Sequence, residues 1–107
     1  MFVSSFKLKG QAGKRNEIFQ TINGISDQLR FQKGCLSVTS YQDTNDLDCF
    51  FLMNEWETQE DLNEYLSSKL FAVLLGIRTI LTDTPEVRVL VEDCTYNCDE
   101  IIKAKTQ

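Results

Sequence analysis

The sequence predicts an α+β sandwich: a four-stranded antiparallel sheet with helices on one face, in the order β-α-β-β-α-(α)-β. Three observations carry this prediction. Apolar residues recur at helical spacing in two stretches, Ile18 to Leu29 and Leu70 to Leu81. Two alternating stretches flank a polar turn at Asp43-Thr44-Asn45-Asp46, as in a hairpin. Shorter strand-like stretches, Phe2 to Leu8 and Val87 to Val91, stand outside these.

Phe2, Val3, Phe6 and Leu8 form an imperfectly alternating strand that stops at Gly10, with a turn expected through Gly13. A long helix follows on Ile18, Ile22, Ile25 and Leu29; Phe19 is expected to widen its stripe, and Lys33 with Gly34 to supply a basic last turn and a stop. Gly24 inside it costs about 1 kcal/mol relative to alanine, which points to a close contact. From Cys35 to Gln42 the pattern alternates, with Leu36 and Val38 expected on one face and Ser37, Thr39 and Tyr41 on the other.

The partner strand runs from Asp48 to Trp56. Its segment Phe50-Phe51-Leu52-Met53 is apolar on both faces, and such a strand needs a cover on each side. Helices supply one cover, and a second copy of the chain is expected to supply the other. Thr58 and Asp61 have the spacing of a helix cap, and Leu62, Tyr65 and Leu66 give the next helix a buried face before Ser67 and Ser68 interrupt it. A further helix is expected on Leu70, Leu74, Ile77 and Leu81, with Val73 and Ile80 beside them, until Asp83-Thr84-Pro85 breaks it. Val87 to Val91 is the last strand. The order is that of a ferredoxin-like sandwich, here spanning residues 1–93. Residues 94–107 are a weakly patterned tail in which Ile101 and Ile102 suit a short terminal helix.

A chain of 107 residues matches one domain that buries roughly two-thirds of its unfolded surface. Its net charge of −5 repels phosphate backbones, and neither aromatic residues nor Lys/Arg cluster as a nucleic-acid site requires. Apolar runs fall far short of the roughly 20 residues of a membrane span, and no charged-then-apolar leader opens the chain, so a cytoplasmic location is expected. Cys35, Cys49, Cys94 and Cys98 are expected to be thiols in a reducing compartment. Cys94 and Cys98, four apart, would share a helix face and could chelate a metal or form a redox pair. The chain has no histidine to complete such a site, and no metal is expected. The same lack excludes Ser-His-Asp, Cys-His and HExxH chemistry and the usual axial ligand of haem. Asp46, Asp48, Glu55, Glu57, Glu60 and Asp61 are assigned to solvated turns and caps rather than to a paired-carboxylate site.

The stretches Gly34-Cys35-Leu36, Tyr41-Gln42-Asp43 and Asn54-Glu55-Trp56-Glu57, followed by Leu62, Tyr65, Ser68, Phe71 and Pro85-Glu86-Val87, resemble the antibiotic biosynthesis monooxygenase family. The resemblance runs from about residue 2 to residue 92. It implies a homodimeric α+β barrel whose best-understood members oxidise phenols or quinols with dioxygen and no metal, flavin or other cofactor. An electron-rich substrate anion can itself reduce dioxygen, so the protein need supply only an apolar enclosure and donors for a developing oxyanion.

Trp56 and Asn54 lie two apart on one strand and so share a face with Leu52 and Phe50, while Tyr65 comes from the covering helix. The expected catalytic residues are therefore Trp56, Tyr65 and Asn54, in a pocket lined by Phe50, Leu52, Leu62, Phe71 and Leu74. Each also has an ordinary reading, as core packing or, for Asn54, as an exposed strand residue. The chain departs from the family at two of these positions, with Asn54 where glutamate often stands and Tyr65 where histidine is common. A phenol with a pKa near 10 is a poor base, so Tyr65 is expected to donate or orient.

Two classes of function follow. The first is a cofactor-independent monooxygenase acting on a small aromatic or quinol-like molecule with dioxygen. The second is a non-catalytic dimeric domain for small-ligand binding or assembly; isomerisation of a small carbonyl compound is a related third option.

Overall fold

The computed structural model describes residues 1–91 together with Asp99 and Lys103. Its elements are β1 (Phe2–Lys9), α1 (Arg15–Leu29), β2 (Cys35–Gln42), β3 (Cys49–Trp56), α2 (Gln59–Leu66), α3 (Lys69–Leu75), a 3₁₀ turn (Gly76–Ile80) and β4 (Glu86–Val91). The strands form one antiparallel sheet in the order β2-β3-β1-β4, the ferredoxin-like arrangement expected.

The register fixes which side chains meet the helices. Across β1 and β3, Phe2 opposes Trp56, Ser4 opposes Asn54, Phe6 opposes Leu52 and Leu8 opposes Phe50. Because a strand alternates its faces, these eight side chains project to one side. There they meet Ile18, Ile22, Ile25 and Leu29 of α1, Leu62 and Tyr65 of α2, and Phe71 and Leu74 of α3 in a single core. Each fully buried Leu, Ile or Phe stabilises that core by roughly 1.5–3 kcal/mol. Gly10 lets α1 come close to the end of β1, since a Cβ at this position would collide with the Ile18 side chain.

Several local expectations change. Phe19 is 55% exposed and does not widen the buried stripe of α1, because it falls on the solvent side of the helix. That helix ends at Leu29, so Lys33 and Gly34 belong to the following turn, where Gly34 takes a φ of +80°. Nothing approaches the Gly24 position, so close packing is not the reason for that glycine. In β2 a bulge between Cys35 and Ser37 breaks the alternation. Cys35 and Val38 thereby face the core, and Leu36 is exposed. The third helical stretch keeps α-geometry only to Leu75 and tightens into the 3₁₀ turn. Leu81 follows in extended backbone, bridged to Gly10.

β4 is an edge strand whose six residues are all exposed, so the helical layer does not extend over it. Cys94, Cys98, Ile101, Ile102 and the expected boundary at residue 93 lie outside the described residues, while Asp99 and Lys103 are both helical. No helix among the described residues is long and apolar enough to cross a membrane.

Candidate functional site

The side chains singled out in the sequence come from two elements with definite local causes. Asn54 and Trp56 close the helix-facing side of β3, after Phe50 and Leu52. Tyr65 is aimed at them by α2, whose start is fixed by Thr58: its hydroxyl oxygen accepts from the Asp61 backbone N–H (3.1 Å) and its O–H donates to the Asp61 carboxylate (2.9 Å). Ser68 caps α3 in the same way, accepting from the Phe71 N–H at 3.2 Å, and its hydroxyl also donates to the Tyr65 carbonyl at 2.6 Å. Such caps are each worth about 1 kcal/mol and set where the next inward side chain falls.

Within the core, the Trp56 indole N–H donates to Asn54 Oδ1 at 2.6 Å. The Tyr65 ring stacks on the Trp56 indole, with centroids 5.1 Å apart and planes inclined by 20°. Phe71 meets Tyr65 edge-on at 5.4 Å, and Phe6 meets Phe71 edge-on at 5.8 Å. Expected pocket residues Phe50, Leu52, Leu62, Phe71 and Leu74 all belong to this cluster. The structure therefore brings the eight predicted residues together, as a packed group closed to solvent in this conformation.

The polar atoms of this group are unevenly satisfied. Asn54 uses its oxygen on Trp56, which leaves its Nδ2 as a donor without a partner. The Tyr65 hydroxyl is likewise unpartnered. Burial pushes the Tyr65 phenol up to about 12; the Asn54 side chain nearby draws it down somewhat without reaching hydrogen-bonding geometry, and the Cys35 thiol adds a small upward push. Tyr65 is thus a neutral donor at any physiological pH. Burial also raises the Cys35 thiol, against a smaller lowering by the Ser37 backbone and by Arg30.

Ser4 was not among the predicted residues. It lies directly across from Asn54 on β1, is buried, and its Oγ is the third unpartnered polar atom. The signal for it was present: Ser4 is the polar member of the helix-facing series Phe2, Ser4, Phe6, Leu8.

The arrangement can donate hydrogen bonds to oxygen atoms in an apolar surrounding, but among the described residues it offers no base. Asp61, the buried carboxylate among the described residues, is engaged with Thr58 at the start of α2, beside Gly34. The described residues include no cluster of three or more metal-ligating side chains. The opposite sheet face carries the half-buried Phe51 and Met53, with the Lys7 ammonium 5.8 Å above the Phe51 ring.

A sequence profile described as antibiotic biosynthesis monooxygenase matches residues 1–74. Among solved structures, a candidate antibiotic biosynthesis monooxygenase from Deinococcus radiodurans superposes with a TM-score of 0.82 at 17% identity, covering 91% of this chain and 97% of that one. A second candidate, from Nitrosomonas europaea, gives 0.80 at 12% identity over 88% and 100% of the two chains. SnoaB, a cofactor-independent oxygenase from Streptomyces nogalater, gives 0.75 at 12% identity over 88% and 94%. At such identities the likeness to these structures is one of fold. Curated protein sequences give no significant match.

Proposed function

Because this chain belongs to the antibiotic biosynthesis monooxygenase family, we propose that it is a cofactor-independent monooxygenase of a small aromatic or quinol-like substrate. One observation carries the reading: Asn54, held by Trp56, presents an unpartnered donor beside the unpartnered Tyr65 hydroxyl inside an apolar enclosure. Buried polar groups are rarely left unpaired without a reason. Donors held ready in a dry site stabilise charge as it develops on a substrate oxygen.

In the proposed reaction a hydroquinone gains one oxygen atom from dioxygen and loses two hydrogens, while the second oxygen atom leaves as water. The substrate supplies all the electrons, so no external reductant is needed. Asn54 Nδ2 and the Tyr65 hydroxyl bind the substrate oxygen on which negative charge resides, Trp56 orients Asn54, and the surrounding Leu and Phe side chains exclude bulk water.

We further assign a homodimer built on the outer sheet face, where Phe51 and Met53 are only half-buried in the single chain. The free thiols of Cys35 and Cys49 suit a reducing compartment, and we place the protein in the cytoplasm.

The test is an oxygen-electrode assay of the purified protein against a panel of hydroquinones and polyphenols. Uptake without added metal, flavin or haem, and undiminished by chelators, is the expected result. No uptake with any member of the panel would leave the second reading, a non-catalytic small-ligand-binding domain, which the absence of a base among the described residues of this cluster favours.

A further inference from the structure

The helix-facing side of the sheet is bare at one edge. Val87, Val89 and Val91 of β4 stand directly across from Phe6, Ser4 and Phe2 of β1, so they share the face on which the helices lie. Yet they are 39%, 47% and 64% exposed, and Phe2 beside them is only half-buried. The described helices stop short of them. An edge strand is ordinarily protected by charge, by a bulge or by a covering element. On this face β4 has neither of the first two, since the three side chains are all valine and the register against β1 is unbroken.

The sequence that follows Val91 carries a matching pattern. Cys94, Cys98, Ile101 and Ile102 recur at the i, i+4, i+7 and i+8 spacing of an amphipathic helix. Asp99 and Lys103 are helical and exposed, and being four apart they share one side of their helix. Ile101 falls about 180° from that side. A free thiol packs as a small hydrophobe, so the two cysteines belong with the isoleucines in this stripe. Asp93, just before it, is a favoured residue for starting a helix.

The dimensions agree as well. Glu92 and Asp93 separate Val91 from Cys94, a connection with a reach of about 10 Å that turns the chain back onto its own strand. A helix rises about 6 Å from Cys94 to Cys98 and about 10 Å to Ile101. A strand spans about 7 Å from Val91 to Val89 and about 13 Å to Val87. Running back along β4, Cys94, Cys98 and the pair Ile101–Ile102 therefore meet Val91, Val89 and Val87 in turn.

We propose that residues 94–105 form a helix that docks on the bare valines of their own β4, with Cys94 and Cys98 as buried packing thiols. The short connection favours the same chain over a second copy. This docking is independent of the monooxygenase reading, and it turns both thiols toward valine rather than toward a metal.

Labelling of the full chain with N-ethylmaleimide, located by peptide mass mapping, tests it. Cys94 and Cys98 should react at least about tenfold more slowly than in urea, as thiols opened only by local unfolding do. Val89→Asp puts a charge into the contact and should release both cysteines, whereas Val73→Asp, at an exposed position of α3, should release neither. Ile101→Asp makes the same test from the helix side. It decides the matter if Val89→Asp unfolds the domain, which fast labelling of the buried Cys49 would reveal. In Val89→Cys, a short bismaleimide should join the introduced thiol to Cys98 within one chain.

Labelling of Cys94 and Cys98 as fast as in urea overturns the proposal, as does protection that survives either substitution in the contact. Links between two chains would assign the strip to the tail of a second copy, and no link at all would put the tail elsewhere; either result overturns it too.

Discussion

The Trp56 indole donates its N–H to the side-chain oxygen of Asn54, two residues earlier on the same strand, across 2.6 Å of closed core. Trp56 therefore acts on a ligand through Asn54, by fixing which end of that amide is free. Trp56→Phe keeps most of the ring packing but leaves the Asn54 oxygen buried and unpaired, at a cost of about 1–3 kcal/mol. In a double-mutant cycle with Asn54→Ala, urea unfolding should give a coupling energy of about 1 kcal/mol or more. Additive losses would mean that the bond does not orient Asn54.

Tyr65→Phe removes an unpartnered buried hydroxyl, so stability at pH 7 should be level or higher, while turnover of a quinol should fall roughly 10²- to 10³-fold if the phenol donates to a developing oxyanion. Steady-state oxygen uptake beside a thermal melt separates the two effects. Full activity in the mutant would reduce Tyr65 to a packing residue.

The same residue sets an alkaline limit. The folded state holds the Tyr65 phenol up to about 12, above the ordinary value of 10.0, so the folded protein retains a proton that the unfolded chain releases first. Its contribution, roughly 2–3 kcal/mol, is whole below about pH 10 and is lost as pH rises from there to about 12. Cys35 and Cys49, also raised by burial, push stability the same way above their ordinary values. Urea midpoints of the wild type should therefore decline more steeply across this window than those of Tyr65→Phe. Parallel curves would refute the assignment.

The homodimer is tested on the other sheet face. Phe51→Asp or Met53→Asp would force a charge into a dry contact, and sedimentation at micromolar concentration should shift from about twice the chain mass toward the monomer. If both variants remain dimeric, the contact lies elsewhere.

Gly34→Ala should be among the most damaging small substitutions. The backbone there has a φ of +80°, and the added Cβ would collide with the Asp61 carboxylate. A loss of about 1–3 kcal/mol is expected from the backbone conformation alone, with more from displacing Asp61 out of its bond to Thr58. Pairing Gly34→Ala with Asp61→Gly should recover part of that loss in urea unfolding, since the collision involves the Asp61 Cβ as well as its carboxylate.

Much of this architecture was legible because its signals are local. Thr58 and Asp61 show the cap of α2 by spacing alone, and the alternate residues Phe50, Leu52, Asn54 and Trp56 show the inward face of β3. The misreadings come where a distant neighbour decides. Leu36 looks like a partner of Val38 until the register against β3 inserts the bulge, and Phe19 looks buried until the sheet meets α1 along a narrower stripe. For the candidate site, one strand sufficed to group Asn54 with Trp56. Ser4 required knowing that β1 lies beside β3 in this register, and the bond that turns Trp56 inward onto Asn54 has no trace in their spacing.

The sheet order also governs the timing of folding. β1 lies between β3 and β4, so Phe2 finds its neighbours only at Trp56 and Val91. During synthesis the β2–β3 hairpin can close on its own, whereas β1, with Phe6 and Leu8, leaves the ribosome long before either flank exists. At roughly 5–20 residues per second, that apolar segment waits for seconds without its cover. Pairings this remote in sequence also close slowly. Of the two central strands of the finished sheet, β1 is thus the one more exposed to chaperones and to misassembly while the chain is being made.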